Sequence, residues 1–455
     1  MTITITSSTT KQDVYKHISS SASYGNLGLF VGTGFSKAVL NDDDKQIALS
    51  WGELLEKICG KFDIDYDAIF KDGIGYPEIA TKICLAYSEQ SGKTYGQALS
   101  EVKRKVASLT SWYPNDKNRD EFLTYFEHLS VAWIITTNYD LVIESLLTGK
   151  SIPLGPNDQL TNPKNIIPIY HLHGMRTNPE EIVISQEDYV SLFRPNEYRQ
   201  IKLALTLKES TVLLLGYGLG DVNVLTAIDW SKNVFKGGTV DFPQDVIQVL
   251  RKTNPIETPY RDRNGILIVE TDEIRNFFNE YVEVRKEEIV REANITKSLA
   301  SIQTMLNAPT QESINQFIDN NDFRKALIQI LSSSPIHLTS GFISYLDKCL
   351  TETWIRTSPS NAFEGYNQNL RLLLDILTGF STKNIPPALF QTAAYGLERV
   401  AYYIGTGSGE SWAAARTWNN RKGEISADMV KELRDIANQY SYIRLKQLLN
   451  TIKKD

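Results

Sequence analysis

The sequence predicts an α/β fold: a Rossmann-like parallel sheet with a helical insertion, followed by an all-α C-terminal domain. Three observations predict it. Short apolar runs that end in Gly, Asn or Asp alternate with helical patterns from about residue 27 to 285, as a βαβ series does. A long, mostly helical stretch separates the first two of these runs. After about Val284 the strand signals fade and amphipathic helical stripes take over.

The expected strands are Leu27 to Val31, Val131 to Thr136, Ile167 to Leu172, Ile182 to Ser185, Val212 to Leu215, Val246 to Leu250 and Ile266 to Val269. The insertion includes helical patterns at Trp51 to Cys59, Glu78 to Tyr87 and Gln97 to Leu109. Following the first strand, it would sit over the carboxyl edge of the sheet, where open α/β folds bind ligands. In the C-terminal part, core stripes are read at Phe323, Leu327 and Leu331, at Phe342, Leu346 and Leu350, and at Val430, Leu433, Ala437 and Tyr440. The charged stretch Arg285 to Glu292 reads as a solvated helix crossing the boundary. The expected division is an N-terminal segment 1–24, an α/β domain 25–290 and a helical domain 291–455.

Composition narrows the function classes. Lys and Arg total 48 against 54 Asp and Glu, a formal charge of −6, and no basic stripe is interleaved with aromatics, so direct nucleic-acid binding is not expected. The three cysteines, Cys59, Cys84 and Cys349, form no CxxC pair, which fits a reducing compartment and removes a zinc ribbon. Met1 to Thr10 is rich in Thr and Ser, but no Arg precedes Arg104 and no apolar core follows, so no targeting signal is expected. No apolar run approaches the roughly 20 residues a membrane span needs. A cytoplasmic protein is the plain expectation.

Gly28-Leu29-Phe30-Val31-Gly32-Thr33-Gly34-Phe35-Ser36 is an apolar strand running into a glycine turn, after which Ser36 could open a helix. Such a turn lets backbone N–H groups approach a pyrophosphate, with the helix N-terminus adding favourable electrostatics. A tight turn needing positive φ at Gly32 or Gly34 explains the same residues. A dehydrogenase fingerprint is disfavoured: its third glycine falls on Lys37, and its acidic residue would be Glu53 or Glu56 within a helical pattern. Gly92-Lys93-Thr94 is not a P-loop, since Tyr87 stands where the first glycine belongs and no strand precedes it.

Two further strand ends carry polar groups. Thr137-Asn138-Tyr139-Asp140 follows the second strand, where Asn138 either caps the next helical run or faces a ligand on the Gly32 turn. Tyr170-His171-Leu172-His173-Gly174 ends the third, and alternation would send both histidines to one face. With only His17, His128 and His337 left, none at ligand-like spacing, zinc is disfavoured and no metal is expected. His171 reads as a structural histidine, and His173 as the candidate for acid–base work. A second glycine turn, Gly216-Tyr217-Gly218-Leu219-Gly220-Asp221, follows the strand at Val212 to Leu215; it is either a bare turn or a close approach to the adenosine half of a dinucleotide.

These four segments, in this order and each at a strand end, resemble the sirtuin family over about residues 25 to 285. Gly32-Thr33-Gly34-Phe35-Ser36 is similar to its GAGxS loop, Thr137-Asn138-Tyr139-Asp140 to its TQNxD, Leu172-His173-Gly174 to its LHG and Gly216-Tyr217-Gly218 to its GTS. The resemblance implies NAD, with Gly32 to Ser36 on the pyrophosphate, Gly216 to Gly218 along the nucleotide, Asn138 at the nicotinamide ribose and His173 as the catalytic histidine. Asp140 could orient the loop, stabilise developing positive charge or cap the helix.

The departures bear on activity. The family's two CxxC pairs and its Ala-Pro-Asp-Phe-Arg-type stretch are missing, and Lys37 to Asp44 reads KAVLNDDD. With the NYD variant and the helical extension, the chain resembles sirtuin-like effectors of bacterial antiphage defence, which cleave NAD, here substrate, to ADP-ribose and nicotinamide. The alternatives are a non-catalytic NAD or ADP-ribose sensor and a zinc-free protein deacylase. A homo-oligomer is expected, as is common among cytoplasmic proteins, together with a protein trigger, a defence-system ATPase or a phage protein. A lethal activity needs restraint, so the isolated protein should be weakly active or inhibited until a partner or assembly state changes. Full turnover by a dilute monomer, followed as nicotinamide release, would contradict this.

Overall fold

The computed structural model describes residues 2–452 except 7, 42–45, 72, 160, 162–163, 193–197, 218–225, 227, 232–242, 334–335 and 359–362, and of residues 191–192, 198–200 and 336–340 it describes the backbone only. The chain divides into two compact units, Met1–Arg291 and Glu292–Asp455, the division falling within the helix Ile274–Asn307.

The first unit is built on one eight-stranded sheet. Its strands are β1 (Leu27–Val31), β2 (Trp133–Thr136), β3 (Ser151–Leu154), β4 (Ile167–His171), β5 (Thr211–Leu215), β6 (Asp245–Arg251), β7 (Tyr260–Arg261) and β8 (Leu267–Thr271), in the order β3-β4-β2-β1-β5-β6-β8-β7. Every pairing is parallel except β7 with β8. Without the edge strands β3 and β7, the order is that of a doubly wound Rossmann sheet, whose direction of winding reverses between β1 and β5. The carboxyl ends of those two strands therefore form the crevice where such sheets hold ligands.

β1 is buried throughout because both faces of the sheet are covered. Its period of two divides it cleanly: Leu27, Leu29 and Val31 join the larger core, while Phe30 joins a second cluster with Trp133, Ile135, Tyr170 and Leu214. Gly28 lies on the Phe30 face, where the Trp133 indole occupies the place a side chain would take.

The insertion is helical, with Trp51–Lys61, Tyr66–Ile69, Tyr76–Ser91, Tyr95–Leu109 and Asp116–Leu129. Capping boxes at Ser50 with Glu53 and at Thr94 with Gln97 start two of these helices. Phe122 and Phe126 of the last helix meet Phe35, behind the glycine turn, at ring centroid distances of 5.6 and 5.9 Å.

In the N-terminal segment Thr10 and Asp13 form a capping box, Gly25 ends the helix Lys11–Tyr24 in the left-handed conformation, and Val14, Tyr15 and Ile18 are buried in the larger core. Two strand expectations need correction. Ile182 to Ser185 is buried but forms no strand, because its backbone serves the site loops: the Val183 N–H donates to the His173 carbonyl and its carbonyl accepts from the Tyr139 hydroxyl, both at 2.8 Å. β3, whose pattern is broken by Pro153 and by exposed Ile152, was not expected.

The second unit is helical, from Gln311–Asp319 to Ile443–Leu449, around its own apolar core. Arg324 is buried there; its Nε donates to Asp375 at 2.6 Å and its Nη1 to the carbonyls of Phe317 and Ile318 at 2.8 and 2.9 Å. Leu327, Leu331, Phe342, Leu346, Leu350, Val430, Leu433 and Ala437 are core residues, and Phe323 packs at its margin. Tyr440 is instead exposed, because its helix ends at Gln439. No helix among the described residues is long and apolar enough to cross a membrane.

A methyl group at Gly28 would come within 2.0 Å of the Trp133 ring. Gly28→Ala should therefore cost about 1–3 kcal/mol by overpacking, read as a lowered urea midpoint with an unchanged slope; an unchanged midpoint would mean that the indole can move aside.

Candidate active site

β1 and β5 end in glycine turns that touch through their backbones. The Gly32 N–H donates to the Leu215 carbonyl at 2.9 Å and the Gly34 N–H to the Gly216 carbonyl at 3.0 Å. A Cβ at Gly32 or Gly34 would stand 2.7 or 2.8 Å from the Gly216 oxygen, and one at Gly216 would stand 2.1 Å from the Phe35 nitrogen. Gly216 is also left-handed, with φ +70°. The positive φ considered for Gly32 or Gly34 is thus found at Gly216; the first two are glycine because two chains pass at contact distance. Gln248 of β6 steadies the second turn, its side-chain N–H donating to the Tyr217 carbonyl at 3.0 Å.

A cleft of about 260 Å³ opens beside these turns, lined among others by Thr33, Trp51, Tyr76, Asn138, Asp140, His173, Gly216 and Tyr217. Asn138 is buried and held by the glycine loop. Its amide Nδ2 donates to Ser36 Oγ at 3.0 Å, and its Oδ1 accepts from the Thr33 hydroxyl at 3.4 Å. The side chain therefore caps no helix. Ser36 Oγ donates in turn to Asp140, 3.0 Å from Oδ2 and 3.2 Å from Oδ1, and Asp140 Oδ1 also accepts the Val142 N–H at 3.1 Å. Asp140 both supports the start of the following helix and borders the cleft.

Of the residues expected on the nucleotide, Thr33, Gly216 and Tyr217 line the cleft. Gly32 and Gly34 support it from behind, with the two N–H groups expected on a pyrophosphate given to Leu215 and Gly216. Phe35 is fully buried among Phe122 and Phe126, and Ser36 is fully buried between Asn138 and Asp140, so neither side chain reaches the cleft. Gly218 lies outside the described residues.

The two histidines part company, because β4 ends at His171 and its alternation goes no further. His171 Nδ1 lies 3.1 Å from the Asn138 carbonyl oxygen and its Nε2 2.6 Å from Glu144 Oε1. His173 borders the cleft, its ring 6.1 Å from that of Trp51 and 5.1 Å from that of Tyr189, whose hydroxyl is 3.3–3.4 Å from its two nitrogens. Burial without a charged partner pushes His173 down to about 3, so the imidazole is neutral at physiological pH. Burial also pushes the Asp140 carboxyl up to about 6, against the Val142 N–H and the Ser36 hydroxyl, which favour its ionised form.

Residues of the insertion that carried no motif complete the wall. Trp51 stacks near Tyr76 and Tyr189, at 5.3 and 6.0 Å, and its indole N–H is buried with no partner among the described residues. Thr137 and Tyr217, from two different strand ends, are joined hydroxyl to hydroxyl at 2.8 Å. Among the described residues no group of three His, Cys, Asp or Glu could hold a metal ion.

Residues 132–267 match the SIR2-like domain family. This stretch of the chain is SIR2-like. The matched range takes in Asn138, Asp140, His173 and Gly216, while β1 and the Gly32 turn lie before it. Over 267 residues the chain is 23% identical to Defense-associated sirtuin 2 of Bacillus subtilis, a match covering 56% of this chain and 24% of that protein. The match thus spans about a quarter of that relative's length.

In this site Asp140 holds its proton more tightly folded than unfolded. Its effect on stability is therefore present below the ordinary carboxyl range near 3.8 and lost as pH rises through about 6. Relative to Asp140→Asn, the wild type should lose about 3 kcal/mol between pH 3 and 7, measured by urea unfolding of both proteins; parallel pH profiles would show that Asp140 is not held in this way.

Proposed function

We propose that the first unit binds NAD in this cleft and hydrolyses it to ADP-ribose and nicotinamide, acting in antiphage defence by depleting the nucleotide. One observation carries the reading: the Asn138 amide and the neutral His173 ring converge on one cleft at the switch point of a doubly wound sheet, beside two glycine turns. The defence role is supported by the similarity to Defense-associated sirtuin 2.

The chemistry asks for little beyond positioning. The ribose–nicotinamide bond breaks with its electron pair leaving on nicotinamide, positive charge develops at the ribose carbon, and a water oxygen takes the vacant position. Asn138 orients the ribose or the water, using an amide already fixed by Ser36 and Thr33. His173 accepts the water proton. A weak base suffices, because water attacking a cationic carbon is strongly acidified, and the low basicity of His173 keeps it unprotonated beforehand. The proton then passes to solvent, balancing NAD and water against ADP-ribose, nicotinamide and a proton. Asp140, ionised above about pH 6, sets negative charge at the cleft where positive charge grows. Trp51 and Tyr76 offer flat apolar surface to the ligand.

The second unit, which carries none of these groups, is proposed as the regulatory or oligomerising part, and the trigger as a protein partner.

Incubation with NAD, with and without candidate partners, should release nicotinamide and ADP-ribose without any acylated peptide. Asn138→Ala and His173→Ala should each lower turnover by about 100-fold or more while remaining folded by circular dichroism. Folded variants with wild-type turnover would remove both residues from the reaction. Release that requires an acylated peptide would point to a deacylase, and NAD binding with no release to a sensor.

A further inference from the structure

Asn138 is held through its backbone as firmly as through its side chain. Its N–H donates to the Thr136 hydroxyl at 3.0 Å, which itself donates to the Val31 carbonyl of β1 at 2.8 Å. Its carbonyl oxygen faces His171 Nδ1 at 3.1 Å, and the opposite ring nitrogen faces Glu144 Oε1 at 2.6 Å. Glu144 comes from the helix Val142–Leu146, which directly follows the Asn138 loop. A carbonyl and a carboxylate are both acceptors, so the ring satisfies both only with hydrogen on both nitrogens, as an imidazolium.

We propose that His171 and Glu144 form a buried ionic clamp that sets the position of Asn138. His171 is then a positioning residue, acting through the Asn138 backbone without touching substrate, and its importance for turnover rests on the reading of Asn138 given above.

Electrostatics agrees with this geometry. Burial opposes charge on His171, but the Glu144 carboxylate, the Asn138 carbonyl and the Asp140 carboxylate together outweigh it and raise its affinity for the proton. Those carboxylates are the ionisable groups that face the ring, Glu144 from the short helix and Asp140 from the loop. The second Glu144 oxygen is buried with no partner among the described residues, so His171 is the group that offsets the charge. The clamp therefore adds stability that is complete below the ordinary imidazole range and fades as pH rises through the raised value. Deprotonation leaves one ring nitrogen presenting a lone pair to an acceptor, and either the Asn138 carbonyl or Glu144 must withdraw.

The test uses the full chain, labelled with ¹⁵N-histidine, as wild type, Glu144→Gln and His171→Gln. Ring ¹⁵N spectra over pH identify the His171 signal by its loss in His171→Gln and read its protonation directly. The wild-type ring should be doubly protonated at pH 7, and Glu144→Gln should lower its titration by about one pH unit or more. In nicotinamide release from NAD, the alkaline limb of kcat should move down with it in Glu144→Gln, while His171→Gln should lower kcat by about 10- to 100-fold with a much smaller change in KM. A singly protonated wild-type ring at pH 7, or a titration unmoved in Glu144→Gln, overturns the clamp. Should no form of the protein release nicotinamide, the hydrolase reading fails while the ring titration still decides the clamp. Should wild type be active and the alkaline limb stay in place in Glu144→Gln, the positioning role fails alone.

Discussion

The site depends on one contact: the backbone of the Gly32–Gly34 turn lying against that of Gly216. These turns end the two central strands, β1 and β5, where the winding of the sheet reverses. At that point the helices following neighbouring strands diverge to opposite faces, and a crevice opens by geometry alone. The glycines let the chains meet closely enough for the helix Thr33–Leu40 to begin immediately, placing Ser36 beneath Asn138 and Phe35 in the core. Any side chain at Gly216 would drive the turns apart and remove the floor of the cleft.

Around that floor, burial acts alike on Asp140, His171 and His173, and their partners make the difference. His173 meets aromatic rings and one hydroxyl, so no charged partner offsets the loss of hydration and it stays neutral. His171 meets Glu144 at 2.6 Å and keeps its proton more tightly than a free imidazole. Asp140 has hydroxyl and amide donors, which recover part of its desolvation cost and leave it near neutrality. Two histidines one residue apart thus hold opposite tendencies within a single loop.

The helical insertion links fold to chemistry. It leaves β1 through the glycine turn and returns to β2 before Asn138, carrying Trp51 and Tyr76 to the cleft on the way. Its helices owe their starts to local capping, but Phe35 shows that the turn and the insertion share one core. Packing in the insertion therefore bears on the orientation of the Asn138 loop through the helix Thr33–Leu40 and Ser36.

By itself, the sequence determined the parallel sheet, six of its eight strands, the helical character of the insertion and of the C-terminal part, and the residues Asn138, Asp140 and His173 at strand ends. Those features are local: period-two burial, helical stripes and polar groups placed where an apolar run stops. Only the tertiary structure decided which glycine needs positive φ, that Phe35 and Ser36 face inward, that Ile182 to Ser185 is no strand, and that Trp51 and Tyr76 line the cleft. It also separated His171 from His173, which pattern alone had sent to one face. In each case the deciding partner is remote in the chain, as Gly216 is to Gly34 and Tyr189 to Trp51, and contacts of that kind leave no trace in the spacing of neighbouring residues.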